Sequence, residues 1–309
     1  MSILQQVTSY KKSRNFGPLN SSSSLPGIIL MTLAVILFAW KDALAKLTGG
    51  YYSPILIIWA QVVFMFGIWF PILVYKYGWR WLIPRPLSWQ VARGLSAVTA
   101  IGIFYWAILL IPLADATAMA FTAPLIVTAL SPWVLKEKVG VRRWSAVTIG
   151  FLGALILLRP AFVGDSIGFL LAFISGLLLG FFYTANRKLA DAAPPLVSVA
   201  YTAYMGVIVL TPLVPLKWVT PRPEDSWLIL GFVVLSAIGQ SCLVTAFRFG
   251  QASRVAPFHF IHIVAATFFG FLIFDDFPDM LTWVGVSVVL LSGLYIAIRE
   301  TKRISKQSE

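Results

Sequence analysis

Two oppositely charged residues stand side by side within a long apolar stretch. Lys41 and Asp42 fall inside residues 26–48, which are otherwise almost entirely uncharged. A charge at the centre of a bilayer costs about 2.5–3.5 kcal/mol on insertion scales, so charged residues at this depth are candidates for a function. Such a pair could bind both charges of a zwitterion or exchange a proton. Two structural explanations stay open, because Lys41 could snorkel to the interface and Asp42 could pair with Lys46 four residues on.

The two histidines of the chain form a second candidate group. His259 and His262 are three residues apart, so they would share one face of a helix. A neutral imidazole offers one donor and one acceptor, which could orient a polar substrate or carry a proton. Packing against a backbone carbonyl or a hydroxyl is the alternative. Two histidines without a nearby carboxylate are a poor ligand set, so neither a metal nor a cofactor is predicted.

Several polar or aromatic side chains also lie deep in apolar segments. They could line a cavity or form hydrogen bonds between helices. These residues are Gln61, Tyr105, Trp106, Tyr201, Tyr204 and Gln240. No Walker loop, CxxC or HExxH signature accompanies them, so the sequence does not predict an enzyme.

The composition indicates which elements must hold these residues. Of 309 residues, 59% are hydrophobic and 12% are charged, and the mean hydropathy is +0.85. Soluble domains have about 45–50% apolar and about 25% charged residues. We therefore predict an all-α integral membrane protein with ten transmembrane helices. The predicted spans are 26–48, 54–75, 88–111, 114–135, 142–159, 166–188, 195–216, 226–248, 252–274 and 280–298.

The basic residues set the expected orientation. Of 24 lysines and arginines, 19 lie toward one set of span ends, with Arg93 counted among them, and 5 lie toward the other. The positive-inside rule then predicts that both termini are cytoplasmic, in a multi-pass protein of the cell inner membrane. Residues 1–25 would be a disordered cytoplasmic tail, and 301–309 a second tail. The net charge of +12 does not predict nucleic-acid binding, because the charges lie at span ends rather than along one face.

Weak internal similarity suggests a repeat. It places 26–160 in one half and 161–300 in the other, each with five spans. Because five is odd, the second half would insert upside down, as in secondary transporters with a substrate site between the halves. The matching positions are Lys46 to Pro54 with Arg187 to Pro195 at a shift of 141, Leu95-Ser96-Ala97 with Leu235-Ser236-Ala237 at 140, and Glu137 with Asp276 at 139.

Several motifs resemble those of a known family. They are Phe121-Thr122-Ala123-Pro124-Leu125, Leu135-Lys136-Glu137-Lys138-Val139, Arg142-Arg143-Trp144, Leu158-Arg159-Pro160 and Phe274-Asp275-Asp276-Phe277-Pro278-Asp279. Together they resemble the EamA domains of the drug/metabolite transporter superfamily. The resemblance implies ten helices in two inverted repeats. Residues 41–46 are similar to a segment of S-adenosylmethionine and riboflavin carriers. Many relatives have arginine in span two where this chain has Gln61, so this chain lacks that contact for an anionic substrate.

We therefore expect a secondary transporter that moves a small organic metabolite by alternating access. The metabolite could be amino-acid-like, nucleoside-like, vitamin-like or drug-like. Its expected partners are that solute and the lipid bilayer, and the protein would be a monomer or a homodimer. Proton coupling is left open by the sequence. An intramembrane enzyme and a pore are the alternative classes, although the chain shows no ring of like charges that would favour a pore.

Overall fold

Every regular element in the described part of the chain is helical. A computed structural model describes residues 25–79, 84–136, 139–157, 166–189, 192, 195–249 and 255–307. The α-helices are α1 (Leu25–Thr48), α2 (Pro54–Tyr77), α3 (Leu87–Leu110), α4 (Leu113–Ala120), α5 (Ala123–Val134), α6 (Val141–Leu157), α7 (Ser166–Lys188), α8 (Pro195–Leu210), α9 (Ser226–Phe249), α10 (Ile261–Phe274) and α11 (Met280–Gln307). Short 3-10 helices cover Val214–Lys217, Pro223–Asp225 and Ala256–Phe260. The predicted N-terminal tail, apart from Leu25, lies outside the described residues, as do Glu137, Lys138 and residues 158–160 of the quoted motifs.

Six helical stretches among the described residues are long and apolar enough to cross a membrane. They are Leu25–Thr48, Pro54–Tyr77, Leu87–Leu110, Leu113–Val134, Ile167–Lys188 and Pro223–Ala246. Three shorter helices, Leu196–Leu210, Phe258–Phe274 and Met280–Ile296, are also apolar. The prediction of an all-helical, multi-pass membrane protein is therefore confirmed. The count of ten spans stays a prediction.

The outward faces of the helices suit a lipid environment. On α6, Ile149, Leu152 and Leu155 recur every three residues and are 52%, 54% and 53% exposed. A soluble monomer rarely leaves apolar surface of this extent uncovered.

Helix α2 begins where the sequence predicted and ends two residues later than predicted, and local chemistry explains both ends. At the start of α2, the Ser53 side chain accepts a hydrogen bond from the Ile55 N–H, and Pro54 occupies the first turn, where no N–H is needed. The helix ends at Gly78, which has a φ of 79°. Glycine adopts this left-handed conformation without a steric penalty.

Two predicted spans are interrupted rather than continuous. Between α4 and α5 the chain turns at Phe121 and Thr122, because Pro124 lacks the N–H that would continue the helical hydrogen bonds. The predicted span 252–274 is corrected in a similar way. Its described part begins with the 3-10 helix Ala256–Phe260, with Pro257 in the first turn, and α10 starts only at Ile261.

Two other span ends differ from the prediction. Helix α8 stops at Leu210 instead of 216, because Pro212 and Pro215 follow and the chain continues as a 3-10 helix. Helix α11 extends to Gln307, beyond the predicted end at 298. The added residues are mostly Arg, Glu, Lys and Gln, which favour helix in water.

The main helix pairs bring the two predicted halves together. Helix α1 packs on α9 and α10, α7 packs on α3 and α5, α2 packs on α8, and α6 packs on α11. Each pair joins one helix before residue 158 to one after residue 165. The closest approach of α6 to α11 depends on two glycines, since a Cβ at Gly153 would lie 2.7 Å from Val288 Cγ1 and one at Gly285 would lie 3.1 Å from the Gly153 oxygen. The largest hydrophobic cluster contains residues of both halves.

Candidate functional site

The adjacent charges of α1 meet a tyrosine of α3. Lys41 Nζ lies 2.5 Å from Asp42 Oδ1 and donates to the Tyr105 hydroxyl at 2.6 Å. The Tyr105 hydroxyl donates to Asp42 Oδ1 at 3.1 Å. We call these three residues the α1–α3 polar group. Among the predicted candidates, the structure therefore brings these three into direct contact.

The α1–α3 polar group is enclosed by apolar and aromatic side chains. Asp42 and Tyr105 are 3% and 2% exposed. The Lys41 ammonium lies 5.7 Å from the ring centre of Phe38, 5.1 Å from that of Tyr105 and 5.7 Å from that of Phe232. Aromatic faces attract a cation, which offsets part of its lost hydration. Lys41 thus points into the helix bundle rather than along α1 to the interface.

Lys46 does not pair with Asp42, although their spacing on α1 allows it. Its Nζ lies 2.6 Å from Asp276 Oδ2 and donates to the Ile111 carbonyl oxygen at 3.3 Å. Lys46 therefore joins α1 to the segment that follows α10. The Asp42 carboxylate is paired with Lys41 alone among the described lysines and arginines.

The histidines approach the same carboxylate from the second half. His262, in the first turn of α10, places Nε2 3.5 Å from Asp42 Oδ2. This separation is long for a hydrogen bond, and Nε2 has no shorter hydrogen bond to any described residue. His259, in the preceding 3-10 helix, has its ring 6.1 Å from that of His262. Phe121 packs against both rings, at 5.4 and 6.0 Å.

No hydrogen bond or ion pair among the described residues connects the remaining candidates to the α1–α3 polar group. Gln61 is buried on α2 with Oε1 unpartnered among the described residues, and Gln240 is partly buried on α9. Trp106 follows Tyr105 on α3 but is 42% exposed. The Tyr201 and Tyr204 rings pack together on α8 at 5.7 Å.

Sequence reasoning missed some residues around the site. Phe38 lies one turn before Lys41, a spacing that could have revealed it. Phe232 sits in a uniformly apolar run that gives no signal. Arg93 was counted with the charges at span ends, but it is fully buried in α3.

A second polar contact holds the two halves together near the C-terminal end of α1. The Tyr52 hydroxyl donates to Asp225 Oδ2 at 2.6 Å and accepts from the Arg222 backbone N–H at 3.0 Å. The hydrogen bond to the Asp225 carboxylate raises the pKa of Tyr52, because it stabilises the protonated hydroxyl. The Arg222 guanidinium also covers the Tyr51 ring at 4.4 Å.

These features define a class: a helical, multi-pass membrane protein that encloses a charged polar group between helices of the two predicted halves. A family comparison agrees with this class. The model described as the EamA-like transporter family matches twice, over residues 25–159 and 166–298. The chain belongs to the EamA-like transporter family, and is therefore a transporter by family membership.

Individual relatives are similar over most of their length. A riboflavin transporter of Vibrio cholerae is 29% identical over 229 residues, which cover 72% of this chain and 76% of that protein. An S-adenosylmethionine uptake transporter of Rickettsia prowazekii is 26% identical, covering 92% and 97%. A pseudopaline exporter of Pseudomonas aeruginosa is 26% identical, covering 90% and 97%. One crystal structure, 16% identical, has a TM-score of 0.61 over 89% of this chain and 98% of that chain, which shows a shared fold alone.

Proposed function

We propose that this protein is a secondary transporter that moves a small zwitterionic metabolite with an aromatic part by alternating access. The observation that carries the proposal is the α1–α3 polar group. It lies between α1 and α3 of the first half and Phe232 and His262 of the second. A site between two halves is where a rocking motion would expose a bound solute to each side in turn.

The α1–α3 polar group has unused hydrogen-bonding capacity for both charges of a zwitterion. The contact of Asp42 Oδ2 with His262 is long, at 3.5 Å, so Oδ2 keeps capacity to accept from a substrate ammonium. The Lys41 ammonium has three donors, and Asp42 and Tyr105 take two of them. The third can bind a substrate carboxylate. A buried ion pair often contributes no net stability, which favours a role for it in binding.

The aromatic residues around the charges indicate the rest of the substrate. Phe38, Phe232 and Phe121 surround Lys41 and His262. Aromatic rings stack with one another at centroid distances of about 4.5–7 Å. S-adenosylmethionine combines an amino-acid zwitterion with an adenine ring, so it suits this environment. Riboflavin, named for the other relative, has the ring system without the zwitterion.

Ten helices in two inverted repeats form part of the same proposal. The two separate family matches support it. The helix pairs support it too. When each helix is replaced by its counterpart in the other half, the α1–α9 contact becomes the α7–α3 contact, and the α1–α10 contact becomes the contacts of α7 with α4 and α5. The same replacement leaves the α2–α8 and α6–α11 contacts unchanged. Phe121 and Phe260, 139 positions apart in the sequence, have ring centres 5.3 Å apart, as expected near a pseudo-twofold axis.

We also propose an inner-membrane location with both termini in the cytoplasm. The charge bias of 19 to 5 supports this orientation. In a Cys242→Ala background, Asp279→Cys should react with an impermeant maleimide added outside intact cells, and Lys138→Cys should not. The reverse labelling pattern would show that the orientation is wrong.

Transport is tested with the purified protein in proteoliposomes. A thermal-shift screen of metabolites, which includes S-adenosylmethionine and riboflavin, selects the solutes, because a ligand of the folded state raises its stability. Uptake of a selected labelled solute should saturate and show counterflow. Asp42→Asn should abolish uptake, whereas Asp275→Asn makes the same chemical change at an exposed position and should not. An imposed pH gradient that accelerates uptake would show proton coupling.

The alternatives predict different results in the same vesicles. Flux that never saturates and shows no counterflow would indicate a pore. Conversion of the solute without flux would indicate an intramembrane enzyme.

A further inference from the structure

Arg93 is buried in α3 without a carboxylate partner among the described residues. Its side chain is fully inaccessible. Nη1 donates to Asn186 Oδ1 at 3.3 Å and to Ser198 Oγ at 2.5 Å, and Nη2 donates to the Ser198 carbonyl oxygen at 3.3 Å. All these acceptors are neutral. A guanidinium removed from water in this way costs free energy unless an anion compensates it.

One edge of the guanidinium is free of described partners. Arginine has five N–H donors, and the three hydrogen bonds above use both hydrogens of Nη1 and one of Nη2. Nε has no hydrogen-bond partner among the described residues. The hydrogen of Nε and the remaining hydrogen of Nη2 lie along the same edge of the guanidinium. This edge binds carboxylate and phosphate with two parallel hydrogen bonds.

Gln90 provides an independent indication of a ligand on the same face of α3. It lies three residues before Arg93, on the same face of α3, and is fully buried. Neither its Nε2 nor its Oε1 has a hydrogen-bond partner among the described residues. A buried amide without partners is uncommon and costly, and a bound ligand is one of the ordinary explanations. The Nε2 hydrogens would add donors to those of Arg93.

Tyr201 belongs to the same surroundings rather than to the α1–α3 polar group. It is 4% exposed and follows Ser198, which accepts from Arg93, by three residues on the same face of α8. Helices α3 and α8 cross closely here, since a Cβ at Gly94 would lie 2.6 Å from Met205 Cγ. Near this crossing of α3 and α8, Arg93 has no carboxylate partner and the Gln90 amide has no hydrogen-bond partner among the described residues.

We infer that Arg93 and Gln90 form an anion-binding subsite that takes a carboxylate or phosphate group. The subsite is distinct from the α1–α3 polar group, because Arg93 and Tyr105 are twelve residues apart on α3, about 18 Å at helical rise. In the proposed orientation it lies toward the cytoplasm. The inference rests on the proposed function in one respect: the bundle must open on that side to admit the anion.

The test measures binding and needs no flux. The purified full-length protein in detergent and chloride-free buffer, at constant ionic strength, is titrated with inorganic phosphate and with acetate. The thermal midpoint should rise to saturation with at least one probe. Arg93→Gln should weaken the apparent affinity by about tenfold or more. Arg93→Lys should weaken it less, because the charge remains but the fork geometry is lost.

A matched control separates the subsite from general cation effects. Arg142→Gln removes the same charge at an exposed position of α6, which the predicted orientation places on the same side, and it should leave the affinity unchanged. Gln90→Leu removes the unpartnered amide and should fold well while it weakens anion binding. It provides a second measurement should Arg93→Gln fold poorly.

Three results would overturn the inference. The first is the absence of a saturable response of the wild-type protein to either probe. The second is anion binding by the folded Arg93 and Gln90 variants that is as tight as in the wild type. The third result concerns Asp191, which lies outside the described residues. If anions bind only after Asp191→Asn, Arg93 forms a structural ion pair instead of a ligand site.

The source of the anion is decided by a competition experiment. Phosphate that competes with uptake of the labelled solute in the wild type, but not in Arg93→Gln, would assign the subsite to a group on the substrate. Phosphate that binds through Arg93 without affecting the KM of uptake would assign it to a free anion. Both results keep the subsite. Anion binding in a protein without saturable flux would overturn the proposed function and leave this inference standing.

Discussion

Lys46 and Asp276 form an ion pair, 2.6 Å between Nζ and Oδ2, that connects the last turn of α1 to the segment after α10. The Lys46 ammonium also lies 4.6 Å from the Phe274 ring centre. The pair therefore joins the two halves at the end of the molecule where Tyr52 contacts Asp225. The predicted orientation places this end outside. Lys46 corresponds to Arg187, and Asp276 to Glu137, in the proposed repeat.

We predict that Asp276→Asn weakens closure at this end. The two side chains are 14% and 31% exposed, so loss of the pair should cost under about 1 kcal/mol of folding free energy. In a Gln61→Cys, Cys242→Ala background, a maleimide added outside should label the cysteine at position 61 several-fold faster when Asp276→Asn is also present. The exposed control Asp275→Asn should not change the rate. The charge exchange Lys46→Asp with Asp276→Lys should restore slow labelling, and equal rates in all variants would exclude a closing role.

Lys41 and Asp42 should respond differently to single and double substitution. Removing either partner leaves a buried charge, which typically costs about 3–5 kcal/mol. Asp42→Leu should therefore lower the thermal midpoint strongly. Lys41→Met combined with Asp42→Leu removes both charges and should regain most of the stability. If the pair binds substrate, the double variant folds but shows no thermal shift with any solute selected for the wild type. Retained binding would indicate a purely structural pair.

Tyr105→Phe tests the hydroxyl that connects Lys41 to Asp42. Hydrogen bonds to charged groups contribute about 1.5–3 kcal/mol, so loss of the hydroxyl should weaken substrate affinity by about tenfold or more. The ring remains to pack against Phe232, which keeps the aromatic environment. Tyr183→Phe, at a partly exposed position of α7, is the matched control. Isothermal titration of the solute should show no change in the control, and equal affinities in both variants would contradict the role.

The residues of the candidate site could be predicted from the sequence where a charged side chain stands among apolar ones. Lys41 and Asp42 were found because charges are rare within an apolar span. Arg93 was missed because its position near a span end has an ordinary explanation, and only the packing of α7 and α8 shows that it is buried. Phe232 was missed because an apolar residue in an apolar run carries no signal.

The fold was predictable for a similar reason. Apolar runs and their Pro and Gly boundaries gave the positions of the helices, which match the structure within a few residues for α1, α2 and α3. The ion pair of Lys46 with Asp276 could not be predicted, because 230 residues separate the partners and α1 offers Asp42 at a favourable spacing. Three-dimensional packing, rather than local preference, selects between these two partners.

Alkaline pH should remove the contribution of the Tyr52 contact to stability. Its pKa is raised in the folded protein by the Asp225 carboxylate. The hydrogen bond therefore stabilises the fold fully below the ordinary tyrosine pKa of about 10, and this stabilisation is lost as pH rises through the folded value. Tyr52→Phe should have a lower thermal midpoint than the wild type at pH 7. The difference should shrink above about pH 10, and a constant difference across that range would contradict the contact.

His262 should contribute more to substrate binding than His259 does. Its Nε2 lies 3.5 Å from Asp42 Oδ2, a long contact, so one substrate group beside the pair could form hydrogen bonds with both atoms. His259 stacks on His262 and Phe121, and no ion pair connects it to a described carboxylate. His262→Gln can keep part of the hydrogen bonding, whereas His262→Ala cannot. Solute titrations of the folded variants should therefore give a Kd about tenfold weaker for His262→Ala, a smaller loss for His262→Gln and the mildest loss for His259→Ala. Unchanged affinity in all three would assign both histidines to packing.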